Sequence, residues 1–270
     1  VLTPWLSEHR VIGLMALVLA KQDSYRLIQI SDCHLVADPD GWFCGVQPYR
    51  QLELLLSQLC HHQPDAVILT GDLTQDHSLE SYQLITKLFN NWSCPVLYLP
   101  GNHDDMELMQ QAFALPPFCA DTELSLGDWR LCLLNSKGPT PAGYFDTTRQ
   151  QQLQQQLLSY PADAAVWLFC HHHISPMGSF IDEHIQLDAA AFWQIISSDQ
   201  RIKGFSHGHC HYAYAKIQQG IQLVGCPASS VQFLLTPDYQ SVAARPGYIE
   251  WIFNANADAD TAVRWQFLEG

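Results

Sequence analysis

"YRLIQISDCH", residues 25–34, runs from an apolar strand straight into Ser31, Asp32, Cys33 and His34, side chains with little reason to crowd a strand end. The same punctuation recurs along the chain. "AVILT" (66–70) is followed by Gly71-Asp72, and "PVLYLP" (95–100) by Gly101-Asn102-His103-Asp104. "AVWLFC" (165–170) gives way to His171-His172-His173, and "IKGFS" (202–206) to His207-Gly208-His209-Cys210-His211. Between the first strands lie helical spacings: Leu52, Leu55, Leu56 and Leu59, then Tyr82, Ile85, Leu88 and Phe89. Strand and helix in alternation predict parallel pairing with both sheet faces covered. In such sheets ligands bind outside the carboxyl ends of the strands, so residues far apart in sequence are expected on one rim.

The second half is less regular. "WRLCLLN" (129–135) reads as a strand, Thr147 to Ser159 as a glutamine-rich amphipathic helix, and Phe192, Ile195 and Ile196 mark another helix. "AYAKI", "IQLVG", "YIEWIF" and "AVRWQFL" then read as short strands of a second, more antiparallel sheet packed on the first. The fold class expected is α/β, a four-layer αββα sandwich of two mixed sheets flanked by helices. Residues 25–270 are read as a single domain, preceded by an N-terminal extension over 1–24.

Within that extension, the ten-residue apolar run "VIGLMALVLA" is too short to span a bilayer, and Glu8 and the missing small-x-small site argue against a secretory leader. Met15 is read as the physiological start and the chain as cytoplasmic. The 13 basic against 27 acidic residues give a net charge of −14, which excludes wrapping of nucleic acid through a basic face. A small anionic substrate stays open, because bound divalent cations reverse the field locally. Nine cysteines, an odd number without C-x-x-C pairs, predict buried thiols rather than a disulfide framework. The oligomeric state is not legible.

Eight of the thirteen histidines fall at strand ends, which a set of unrelated polar loops does not explain. Structural zinc would want thiolate-rich pairs at short spacing. Here the donors are imidazole, carboxylate and amide, and more of them than one tetrahedral ion can use. Two metals sharing a carboxylate is the economical arrangement, with Asp72 the natural bridge. His209 and His211, two apart, are expected on one side of an extended segment, with Cys33 and Cys210 turned away for packing. There is no G-x-S-x-G elbow, phosphate-binding loop or dinucleotide fingerprint, which leaves hydrolysis by a metal-activated water.

The ordered blocks "DCH", "GD", "GNHD", "H" and "GHCH" resemble the calcineurin-like metallophosphoesterases. "TGDLTQD", "FCHHH" and "CPASSVQF" resemble more narrowly the bacterial class III 3′,5′-cyclic nucleotide phosphodiesterases. The resemblance implies two divalent ions, Fe2+ or Mn2+: one held by Asp32, His34, Asp72 and His211, the other by Asp72, Asn102, His171 and His209. It implies hydrolysis of 3′,5′-cyclic AMP to 5′-AMP by a metal-bridging hydroxide, a broader phosphodiesterase or phosphomonoesterase being the alternative. His103 is then the catalytic group that stabilises phosphate oxygens or protonates the leaving group, and Asp104 orients it. His34, Asp72, Asn102, His103, His171 and His211 are expected to face the bound cyclic nucleotide. No membrane partner is expected. His172 and His173 are expected to be structural, and the insertion of Ile174-Ser175 before Pro176, a departure from the family pattern, to border the substrate. "PASSVQF" (227–233) is read either as part of the nucleotide pocket or as a turn into a strand.

Overall fold

A computed structural model describes residues 16–257 and 261–268. In chain order its first half holds β1 (Ala16–Val18), β2 (Ser24–Ile30), α1 (Pro48–Leu59), β3 (Ala66–Thr70), α2 (Leu79–Phe89), β4 (Val96–Leu99), α3 (Met106–Ala112) and β5 (Phe118–Cys119). The second half continues with β6 (Glu123–Leu126), β7 (Trp129–Leu133), α4 (Thr147–Ser159), β8 (Ala165–Cys170), α5 (Ala189–Ser198) and β9 (Ile202–His207). It closes with β10 (Tyr214–Gln218), β11 (Ile221–Gly225), the small pair β12 (Gln232–Phe233) and β13 (Ser241–Val242), then β14 (Gly247–Asn254) and β15 (Ala262–Phe267).

Local chemistry sets the helix starts. Pro48 occupies the first turn of α1, where its missing N–H leaves no bond unmade. Ser78, Asp105 and Asp146 cap α2, α3 and α4 by accepting backbone N–H groups that no helical carbonyl can reach.

The strands form two mixed sheets, in the orders β15-β14-β2-β3-β4-β5 and β1-β6-β7-β8-β9-β11-β10. Alternation of side chains then builds three apolar layers. Leu27, Ala66, Ile68 and Leu97 of the first sheet meet Trp129, Leu131, Trp167 and Phe169 of the second. On the opposite face of the first sheet, Ile28, Ile30, Val67 and Leu69 pack under α1, α2 and α3. Val166, Leu168 and Phe205 of the second sheet pack under α4 and α5. The architecture is the expected four-layer αββα sandwich.

Three details differ from the sequence reading. The second sheet is not the more antiparallel one: β7, β8, β9 and β11 are mutually parallel neighbours. Parallel neighbours need long crossovers, and α4 and α5 supply two of them, as α1 and α2 do for the first sheet. The last two strands return to the first sheet, β14 running antiparallel beside β2 with Trp251 opposite Leu27. That placement sets Trp251 edge-on to Trp167 across the layer, with ring centroids 4.9 Å apart. Thirdly, β1 lies inside the stretch read as an extension, yet it pairs with β6 and buries Leu17. The reading of Met15 as the start falls on residues 1–15, outside the described residues.

Candidate metal centre

Strands β2, β3 and β4 of one sheet and β8 and β9 of the other end at a common rim. The rim is built by both sheets of the sandwich, whose strand carboxyl ends face the same crevice. Asp32 and His34 follow β2, Asp72 follows β3, Asn102 follows β4, His171 follows β8, and His209 and His211 follow β9. Apart from the half-buried Asn102, all are buried.

Four overlapping groups bring ligand atoms within 4.8 Å of one another: Asp32, His34 and His211; Asp32, Asp72 and His171; His34, Asp72 and His103; His171, His172 and His209. Asp72 Oδ2 lies 3.3 Å from His171 Nε2 and 3.7 Å from His34 Nε2, so one carboxylate oxygen stands between the two histidine clusters. His211 Nε2 is 3.3 Å from Asp32 Oδ1, and Asn102 Oδ1 is 3.2 Å from His171 Nε2.

The backbone takes an unusual path here. Asp32, His34, Asp72, His209 and His211 all have positive φ, between 44° and 64°. Left-handed conformations at non-glycine residues cost on the order of 1–3 kcal/mol each and persist only where the surroundings over-determine them. His209 and His211 therefore do not alternate along an extended segment as expected. They are brought to the same crevice by two left-handed residues, while Cys210 between them still turns into a buried cluster with Val46, Ile181 and Val231. Cys33 is likewise buried in the core, its thiol pushed up to about 12 by that burial. All nine cysteines are free. Two glycines make the path possible, since a Cβ at Gly101 would collide with the Asp72 carboxylate and one at Gly208 with Ser31 and Asp32.

Outer partners aim the imidazoles. His171 Nδ1 donates to the Thr70 carbonyl (2.8 Å), His211 Nδ1 to the Val231 carbonyl (2.6 Å), and His34 Nδ1 to Gln75 Oε1 (2.8 Å). A carbonyl can only accept, so in the neutral rings each Nε2 keeps its lone pair and turns it toward the crevice. His34 Nε2 and His211 Nε2 then face each other at 3.1 Å beside two carboxylates. His209 Nε2 is buried with no partner at all, while its backbone N–H donates to Asp32 at 3.0 Å. Opposed lone pairs, an orphaned imidazole nitrogen and shared carboxylates are what a divalent cation would satisfy, and N/O donors of this kind suit iron, manganese or zinc.

Burial and neighbouring charge move these groups in different directions. Burial alone would raise the carboxyls of Asp32 and Asp72, but His211 beside the first and His171 and His34 beside the second outweigh it and hold both below the usual range. Burial pushes His34 down to about 4. Burial also lowers His209 well below the ordinary histidine value, reinforced by His172 and His171. His171 runs the other way, to about 9, because Asp72 overrides its burial.

His103 is half-buried on the wall of the same cavity, its backbone N–H donating to Asp72 Oδ1 at 2.8 Å and its ring 5.2 Å from that of His34. Burial lowers its pKa. Asp104 does not orient that ring. Its buried carboxylate accepts from the backbone N–H groups of Leu73 (3.1 Å) and Gly101 (2.8 Å) and from the Tyr82 hydroxyl (3.0 Å). It ties the β3 turn to the β4 turn, and burial and Asp72 raise it to about 7. His172 is saturated by Ser136 and Pro141, which suits a structural role, and His173 bonds Asp182. Ile174 is buried under the second sheet and Ser175 bonds Gln218, so the inserted pair faces away from the cavity; its wall comes from further along, at Phe180, Ile181 and His184.

"PASSVQF" is a buttress whose role the sequence left open. Ser229 N–H donates to the Ser31 carbonyl, Ser230 Oγ to the Asp32 carbonyl at 2.6 Å, and the Phe233 ring lies flat on His211 at 3.9 Å. Gln75 and Val231, which fix two imidazoles, were not singled out either. A polar residue three positions after Asp72 is a faint signal, and a backbone carbonyl gives none.

Residues 25–213 match the family described as calcineurin-like phosphoesterase. The chain is 35% identical over 246 residues to a protein of Colwellia psychrerythraea named probable cyclic nucleotide phosphodiesterase, covering 87% of this chain and 92% of that one. It is 29% identical over 248 residues to the 3′,5′-cyclic adenosine monophosphate phosphodiesterase CpdA of Vibrio vulnificus, covering 90% of each. Among solved structures, a dimetal phosphatase from Danio rerio superposes with a TM-score of 0.61 at 13% identity, over 88% of this chain and 98% of that one, a likeness of fold alone. With the family match running over well over half of its length, the chain belongs to the calcineurin-like phosphoesterases.

Proposed function

We propose that this metallophosphoesterase hydrolyses 3′,5′-cyclic AMP to 5′-AMP in the cytoplasm, using two divalent ions, Fe2+ or Mn2+. The observation that carries the reading is Asp72, one carboxylate oxygen standing between two imidazole clusters, in a chain whose relatives over most of its length are named cyclic nucleotide phosphodiesterases. In this reading Asp32, His34, Asp72 and His211 hold one ion, and Asp72, Asn102, His171 and His209 hold the other. When bound, the pair supplies Lewis acidity toward the phosphate and lowers the pKa of the attacking water.

The chain's own residues do the rest. The His103 backbone N–H donates to Asp72 Oδ1 and fixes the carboxylate that would be shared. The Lys137 ammonium donates to the Asn102 carbonyl at 2.8 Å and steadies the turn that presents the Asn102 amide. The His103 ring lines the cavity and either donates a hydrogen bond to the phosphate oxygens in its neutral form or, once protonated, gives its proton to the departing ribose 3′-oxygen; burial, which lowers its pKa, favours the neutral form at rest. Asp104 acts only by holding the two turns in register.

The test is product analysis after reconstitution with Fe2+ or Mn2+ and incubation with 3′,5′-cyclic AMP, with Asn102→Ala as control. Conversion to 5′-AMP that stops there and is lost in the control is expected. Onward hydrolysis of AMP, or activity on an aryl phosphate with none on the cyclic nucleotide, would replace this reading with a broader phosphoesterase.

A further inference from the structure

Beside the rim lies a cavity of about 590 Å³, within the size range of small-molecule sites. One end is made of the candidate ligands and His103. The other end is a wall of rings, two of which back candidate ligands on one face. From His211 the rings lead outward: Phe233 stacked on it at 3.9 Å, then Phe180 and Tyr239 at 5.1 and 5.5 Å from Phe233. On the other flank Phe43 stacks on His34 at 4.7 Å. Phe233 is buried and forms the floor, whereas Tyr239 is 54% exposed and offers a bare ring face. Its ring is held edge-on by Phe180 and Phe233, and its hydroxyl adds contacts at 3.3 Å to Cys44 Sγ and Ser241 Oγ.

Charge narrows the occupant. Among the described residues no lysine or arginine lines this cavity, and Glu183 and Asp238 stand on its rim. A second phosphate, or an acidic peptide around a phosphoester, would meet Glu183 and Asp238 outside the metal rim with no lysine or arginine to offset them. A ligand with one anionic group at the metals and a flat, neutral remainder meets stacking surface instead.

We propose that Phe180, Phe233 and Tyr239, with Phe43 opposite, form a nucleobase-stacking subsite that selects cyclic mononucleotides over nucleoside polyphosphates and phosphopeptides. This rests on the cyclic-nucleotide reading above and deepens it. Stacking is tolerant of base identity, so the subsite sets affinity for a base and not the choice between purines.

The experiment compares steady-state kinetics of the reconstituted full chain on 3′,5′-cyclic AMP and on methyl riboside 3′,5′-cyclic phosphate, which lacks the base. Wild type, Phe180→Ala, Tyr239→Ala and the conservative Tyr239→Phe are used, with metal content measured for each. Expected is a rise of about tenfold in KM for cyclic AMP in each alanine variant, with kcat nearly kept, metal unchanged, the base-free substrate unaffected and Tyr239→Phe close to wild type. If wild type cleaves cyclic AMP and the alanine variants leave its KM unmoved, or lose equally on both substrates, the subsite is overturned and the activity stands. If wild type cleaves neither cyclic phosphate but hydrolyses an aryl phosphate, the cyclic-nucleotide reading falls and the subsite with it.

Discussion

The two sheets contribute unlike chemistry to the rim. The first sheet delivers every oxygen donor, Asp32, Asp72 and Asn102, together with His34; the second delivers imidazoles alone, His171, His209 and His211. Neither half is a site by itself. The oxygen side fixes position through backbone bonds, as when Asp72 Oδ1 accepts from His103 and Asp32 accepts from His209. The imidazole side is aimed by carbonyls of neighbouring segments, Thr70 for His171 and Val231 for His211. The centre is thus assembled only when the sandwich closes, and bound metal should hold the sheets together as well as do chemistry.

Removing the shared oxygen breaks the comparison most severely. Asp72→Ala should lose about a thousandfold or more in kcat/KM, together with metal from both groups, by kinetics and elemental analysis. Retention of half the metal with partial activity would show that the halves work separately. His103→Ala should cost about a hundredfold in kcat while metal content stays at the wild-type level, because the ring lines the cavity and its backbone N–H, which anchors Asp72, survives the substitution. Equal loss of metal would place that ring among the ligands. The smallest effect is expected at the outer partner Gln75, where Gln75→Ala should weaken metal binding by about tenfold in a chelator competition and leave kcat at saturating metal close to wild type. An unchanged affinity would mean that Phe43 alone fixes the His34 ring.

Much of this rim was legible because it obeys a local rule: an apolar run followed at once by ligand-type side chains. β3, α4 and β8 carry the boundaries read from the sequence, and each candidate metal ligand sits where its strand ends. What escaped reading is short or nonlocal. α3 and β6 span seven and four residues, too few to display a period. The return of β14 to the first sheet depends on pairing across more than two hundred residues, which no window of sequence contains. The left-handed backbone at five ligands was equally hidden, since Asp and His carry no mark of positive φ as glycine does. Asp104 sits beside His103 in sequence, yet its carboxylate is spent on backbone amides that only the closed fold brings near. The aromatic wall of Phe43, Phe180 and Tyr239 is scattered along the chain, Phe180 at the start of a short 3-10 helix, with no common spacing to join them.

The most direct test of a centre shared by both sheets is metal stoichiometry. Apo protein would be titrated anaerobically with Fe2+ or Mn2+ while bound metal per chain, phosphodiesterase activity and thermal unfolding are followed together. The account expects activity to saturate only at two ions per chain and the unfolding temperature to rise with occupancy. Full activity at one ion per chain, with no further binding, would contradict it.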